Sequence, residues 1–262
     1  MLFKRGDTFY GSITVINSGA AGNPITFSAY GTGENPVISG FTNVTSWTNL
    51  GNNIWESTNA VSGLPNCNMV VINGINTAMG RWPNNGYMTF QSHIGKTSIT
   101  SSHLTGTSNW TGAEVAIRST QWTLEREKIT SQSAGTINYP ATNYEPTNGF
   151  GFFIQNDIRT LDQQNEWYYS PSTKKISIYS TSQPVNVYIA SQDALVTPHG
   201  NFLTFNNLSF EGANQYAFYN DWSGFSNISI EYCSILFSGI DAIKLAGTSN
   251  FAIINSKICQ CY

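Results

Sequence analysis

Four carboxylates in the C-terminal part of the chain, Glu211, Asp221, Glu231 and Asp241, are the residues most able to do chemistry. Hydrolysis of a glycosidic bond needs two carboxyls flanking that bond, one protonated and one ionised. Elimination would need a base, for which Lys244, Lys257 and His199 are available, and a group that neutralises a uronate carboxylate. Asp241 follows Ser238-Gly239 and opens an apolar run through Ile243 and Leu245. Asp221 lies in Asn220-Asp221-Trp222. If Asp221 and Asp241 stood on adjacent strands, about 5 Å apart, like-charge repulsion would raise one pKa and make that group the acid. Glu231 alternates with Ile230, so it should face outward when Ile230 faces inward. Lys244 is three residues after Asp241, an odd offset that reaches the same groove only across a turn or bulge.

Sugar contacts call for rings, because a pyranose face is apolar and packs on them. Trp222, Tyr219 and Trp82 are the candidates, with Arg81 beside Trp82. The competing roles are bland: carboxylates that are solvated or cap turns, Trp82 as a junction anchor, and His199 as a turn residue between Pro198 and Gly200.

These residues need elements to hold them, and the elements read as strands. Only 10% of the 262 residues are charged, while 40% are hydrophobic and 23 are glycine. Asn, Ser, Thr and Gly supply the polarity, and they suit turns and stacked strands better than helices. Near the N-terminus, Phe9–Val15, Ile25–Tyr30 and Val37–Gly40 alternate with glycine-rich turns. Near the C-terminus the text repeats. Leu203-Thr204-Phe205 with Leu208 and Phe210 returns 25 residues later as Ile228-Ser229-Ile230 with Cys233 and Ile235. It returns again after a further 23 as Phe251-Ala252-Ile253 with Ser256 and Ile258. That period is about one coil of a parallel β-helix, in which each coil buries its apolar face against the next. The expected inward ladders are Phe205–Ile230–Ile253 and Phe210–Ile235–Ile258. Asn201, Asn227 and Asn250 precede the three copies and suit turns, since Asn tolerates the left-handed region.

From residue 87 to 180 the period is lost. Glu166-Trp167-Tyr168-Tyr169, Ser170–Lys175 and Ile176–Tyr179 read as a hairpin with a polar turn. The expected organisation is therefore 1–86 as N-terminal coils, 87–180 as a β-rich insertion, and 181–262 as further coils. The chain would be a fragment, because the coil at 255–262 has no polar cap.

Net charge is −3 with no basic run, which argues against nucleic acid and anionic membranes as partners. No apolar stretch is long enough for a membrane span. Cys67, Cys233, Cys259 and Cys261 lack metal-ligand spacing, so free thiols are expected. No phosphate loop, nucleophile elbow or metal motif is present, and neither metal nor cofactor is expected.

The opening FKRGDTFYGSITV with NPITFSAYGTGENPVISG resembles the first coils of secreted bacterial right-handed β-helix proteins of the pectate-lyase-like superfamily. VINGINTAMGRWPN with EWYYSPSTKKISIY is similar to the β-subdomain inserted in carbohydrate-active members. SGIDAIKLAGTSNFAIINSKI resembles a polygalacturonase-type segment in which Asp241 and Lys244 match the second Asp and the Lys, while Ile240 replaces the first Asp. The resemblance implies an all-β fold, a right-handed parallel β-helix with an inserted β-rich subdomain, and a secreted or cell-surface bacterial location. It implies a polysaccharide or other glycan as partner, and a glycoside hydrolase ahead of a polysaccharide lyase. The superfamily also holds non-catalytic adhesins, so a surface scaffold is the alternative.

Overall fold

The computed structural model describes residues 1–261. Among them the regular structure is β apart from two short 3-10 turns at Ser102–Leu104 and Ile158–Thr160. The chain is a right-handed parallel β-helix interrupted by an antiparallel β insertion, and right-handedness is the usual outcome where parallel strands are joined by crossovers.

One parallel sheet stacks five strands, Leu2–Lys4, Ile25–Tyr30, Leu203–Asn206, Ser226–Glu231 and Ser249–Ile254. A second sheet of eight strands is organised by the long strand Ser209–Asn220. Its first half pairs with Val37–Ser39 and Ser234–Ser238, and its second half with Gln192–Pro198 and Asp241–Leu245. Both expected ladders form in parallel register: Phe205 pairs with Ile230 and Ile230 with Ile253, while Phe210 pairs with Ile235 and Ile235 with Ile258. The ladders extend further, with Phe27 stacked on Phe205 at 5.0 Å and Ile38 paired with Phe210. Burying these side chains drives the coils to stack.

The corners follow a rule that residue type only partly reveals. Left-handed backbone recurs at Phe202, Asn227 and Asn250, at Asn207, Tyr232 and Asn255, and at Gly212, Phe237 and Gln260. Each series repeats with the coil, and a single left-handed residue turns an extended chain. Asn227 and Asn250 do make the expected turn. In the preceding coil Phe202 makes it, and Asn201 instead accepts the Ser226 N–H at 2.7 Å on its Oδ1. Asn offers a local hydrogen bond as readily as a turn, so sequence left its exact role open.

The second coil breaks at Gly40, where a Cβ would sit 2.5 Å from the Gly212 carbonyl oxygen. It resumes at Gln192. Antiparallel strands fill the interval from Phe41–Val44 to Val187–Ala190, which pair with each other at its neck. This stretch begins well before residue 87. Val70–Ile72 and Ile54–Ser57 are strand-like in sequence, and composition does not separate a coil strand from an antiparallel one. The insertion has two large cores, one around Trp167, Ile178 and Ile189, the other around Phe90, Ile117 and Phe152, and a smaller cluster of Phe41, Met69, Val71 and Ala190 at the neck. The hairpin expected at 166–179 is present, Trp167–Tyr169 pairing antiparallel with Ile176–Tyr179.

Buried Asn214 ties the insertion to the coils. Its Oδ1 accepts the Asn68 N–H at 2.8 Å, and its Nδ2 donates to Asp193 at 2.8 Å and to Asn66 Oδ1 at 3.1 Å. Cys67 and Cys233 are buried free thiols, and desolvation pushes the Cys67 thiol up to about 12, far from thiolate chemistry.

Candidate functional site

On the strand Ser209–Asn220, Ala217 and Phe218 are adjacent and both fully buried. Strict alternation would turn one of them outward, so the strand bends here. Tyr216 and Tyr219, three apart, therefore share the outer surface, and their rings stack at 4.9 Å and 15°. The next coil follows the same path. Asp241 pairs with Tyr216 and Lys244 with Tyr219. The bend meets the condition that an odd offset imposes. Lys244 Nζ lies 3.5 Å from the Tyr216 hydroxyl and 5.3 Å and 5.9 Å from the centres of the Tyr216 and Tyr219 rings. The hydrogen bond to Tyr216 holds the Lys244 ammonium above its ordinary pKa, and desolvation, helped by a hydrogen bond with Asp221, does the same for the Tyr219 phenol.

The two aspartates do not stand face to face. Asp221 follows Asn220, whose register partner is Leu245, four residues past Asp241. Five residues along the chain separate their register positions. The adjacency expected from sequence fails because the offset between coils is 25 residues here, not the 20 that separates Asp221 from Asp241. Glu231 lies in the other sheet, at the end of Ser226–Glu231, where its carboxylate accepts Asn206 Nδ2 at 3.2 Å.

Trp222 is 61% exposed and lies flat against His199, centroids 4.6 Å apart and planes at 2°. Its backbone N–H donates to Asn220 Oδ1 at 2.8 Å, and fully buried Asn220 donates to the Pro198 carbonyl at 2.7 Å. The exposed ring thus rests on an anchored turn. Trp82 lies inside the insertion rather than at its junction with the coils, stacked on Trp110 at 5.4 Å and packed against the second insertion core.

Between the insertion and the fourth coil lies a cleft of about 510 Å³. Arg81, Tyr87, Arg126, Phe153 and Gln155 line it from the insertion, and Gly239 and Ile240 from the coil. Asp241 is the next residue. Of the lining residues, sequence singled out Arg81 alone as a sugar contact. The signal for Arg126 was its alternation with Glu125 and Glu127, which places it on the opposite face of its strand. Among the described residues no cluster of His, Cys, Asp and Glu could hold a metal ion, and no helix is long and apolar enough to cross a membrane.

No protein-family model matches this chain, and no curated protein matches it in sequence. Solved structures do. A glycoside hydrolase is similar at 13% identity with a TM-score of 0.67, over 92% of this chain and 55% of its own. The XylC complex with xylose is similar at 13% identity over 92% of this chain and 37% of its own, TM-score 0.38. The tailspike protein gp49 from Pseudomonas phage LKA1 follows at 10% identity over 97% of this chain and 35% of its own, TM-score 0.20. The chain thus spans about half the length of the glycoside hydrolase, and it shares that protein's fold.

Proposed function

We propose that this chain is the glycan-binding β-helix of a carbohydrate-active protein, a glycoside hydrolase acting on an extracellular polysaccharide. The observation that carries this reading is the cluster on the outer bend of the coils: stacked Tyr216 and Tyr219, Lys244 over both rings, and Asp241 beside Tyr216. Rings offer a sugar face an apolar platform, and the flanking ammonium and carboxylate offer its hydroxyls a donor and an acceptor. Trp222 adds a second platform further along, so an extended chain is a better fit than a single sugar. The fold shared with a glycoside hydrolase supports the same reading. A substrate of this kind implies a secreted or cell-surface location in a bacterium, checked by locating the protein in medium, envelope and cytosol fractions.

In the hydrolase reading Asp241 is the acid or base that works at the glycosidic oxygen or at water. The second reading, a non-catalytic glycan-binding scaffold, is favoured by one observation: Asp221 and Asp241 are not register partners, their positions lying five residues apart along adjacent strands. Reducing-end release from a polysaccharide panel, wild type against Asp241→Asn, decides between them. Hydrolysis by wild type that falls about a hundredfold in a folded Asp241→Asn variant supports the hydrolase. Unchanged turnover removes Asp241 from the chemistry, and binding without turnover establishes the scaffold.

A further inference from the structure

The cleft between the insertion and the coils carries an inference that the outer-bend cluster does not. Arg81 pairs with Gln155 across the insertion sheet, Gln155 with Glu114, and Arg126 stands two strands beyond Gln155. The two arginines therefore flank a floor that Phe153 and Gln155 line, three strand spacings apart and two residues out of register, with backbones ~16 Å apart. Both guanidinium groups are positioned. Arg81 lies 3.6 Å over the Phe153 ring, donates from Nε to the Pro83 carbonyl at 2.9 Å, and donates from Nη2 to the Gly86 carbonyl. Arg126 donates from Nη2 to Asn68 Oδ1 at 3.0 Å, with Glu114 at 3.8 Å.

Charge balance is uneven between them. A guanidinium has five N–H donors. Arg81 spends two on neutral carbonyls, and among the described residues no carboxylate comes within ion-pair distance of it. Desolvation lowers its pKa, the mark of a cation taken partly out of water without a counter-ion. A planar, pre-oriented guanidinium with free donors matches a carboxylate or sulfate, which it can grip with two parallel hydrogen bonds.

The geometry points to the cleft as an acidic-sugar subsite, in which Arg81 and Arg126 hold an anionic substituent of the glycan, a carboxylate in preference to a sulfate. This rests on the glycan-binding reading above and adds a charge requirement to it. Gln155 and Asn68 would serve the neutral hydroxyls alongside.

The test is isothermal titration of the whole chain with three sets of probes at low and at 0.5 M NaCl. They are oligogalacturonate and oligomannuronate, the methyl-esterified forms of each, and a sulfated galactan oligosaccharide. The expected result is that at least one carboxylate-bearing probe binds about tenfold or more tightly than its methyl ester, with the preference shrinking at high salt. Arg126→Gln, on an exposed side chain, and Arg81→Gln should each erase about tenfold of that preference, thermal unfolding showing that both are folded. Arg81 also holds the 83–86 loop, so Arg126→Gln alone suffices if the Arg81 variant fails to fold. Tighter binding of the sulfated probe overturns the choice of carboxylate. Equal affinity for acid and ester, or a preference that survives Arg126→Gln, overturns the subsite while leaving glycan binding intact. Failure of every acidic probe, with the neutral methyl esters still bound, also overturns it, and failure of these probes together with a panel of neutral oligosaccharides overturns both readings.

Discussion

Replacing Ile230 by alanine perturbs the middle of a ladder, while Ile253→Ala perturbs the same ladder one coil later. Ile230 is fully buried between Phe205 and Ile253, whereas Ile253 is 44% exposed. Three carbons are lost in each case. At about 0.8 kcal/mol per buried methylene, Ile230→Ala loses ~2.4 kcal/mol of transfer energy, and an enclosed cavity adds up to ~1.5 kcal/mol. At Ile253 only about half of the side chain is out of water and solvent fills the gap, so the loss is ~1 kcal/mol. The expected ratio is thus about three to one. Urea unfolding of the two variants beside wild type measures it, with an unchanged m-value as the condition for comparing midpoints. Equal losses at the two sites, or less than ~1 kcal/mol at Ile230, would refute the stacked-coil reasoning.

Asn214→Ala removes a buried amide that bonds Asn68, Asn66 and Asp193, and should cost ~2–4 kcal/mol and expose the 62–68 segment to limited proteolysis; unaltered cleavage there would show that the amide does not clamp the insertion. Glu211 has its pKa raised by desolvation, opposed by a hydrogen bond with Ser39, so its folded value exceeds the unfolded one. Its contribution to stability is full below the unfolded value near 4.5 and is lost as pH rises through the folded value. Glu211→Gln should flatten the fall in Tm above pH 4.5, and an unchanged pH profile would contradict this. Trp222→Ala should weaken polysaccharide binding about three- to tenfold while leaving Tm unchanged, because that ring is mostly exposed; fluorescence titration and calorimetry check the two halves.

The coils were legible because one signal, apolar register at 25 and then 23 residues, is what the stacking itself requires. The C-terminal ladder follows from it directly, while the N-terminal coils were read from short strand-like runs alternating with glycine-rich turns. The bend at Ala217-Phe218 was not legible, since two adjacent buried residues break the period that identifies a strand. With it went the stacking of Tyr216 on Tyr219 and the return of Lys244 to the surface of Asp241. The false pairing of Asp221 with Asp241 came from the same gap. Counting along the chain gave neighbouring coils, but register along the strand decides which side chains meet. The cleft was hidden for another reason. Arg81 and Arg126 are 45 positions apart in sequence, and only the antiparallel pairing of the insertion brings their strands into one sheet. Nor does any residue type announce that Phe202, Tyr232 and Phe237 adopt left-handed corners; the coil geometry imposes them.

The central claim is that glycan binds on the outer bend of the coils, at Tyr216 and Tyr219. Affinity electrophoresis of wild type and the Tyr216→Ala/Tyr219→Ala double variant, through gels cast with a panel of neutral and acidic polysaccharides, tests it most directly. The account predicts that at least one polysaccharide retards wild type, and that the folded double variant loses most of that retardation. Retardation of the double variant equal to wild type, or migration of wild type unaffected by every polysaccharide, would contradict it.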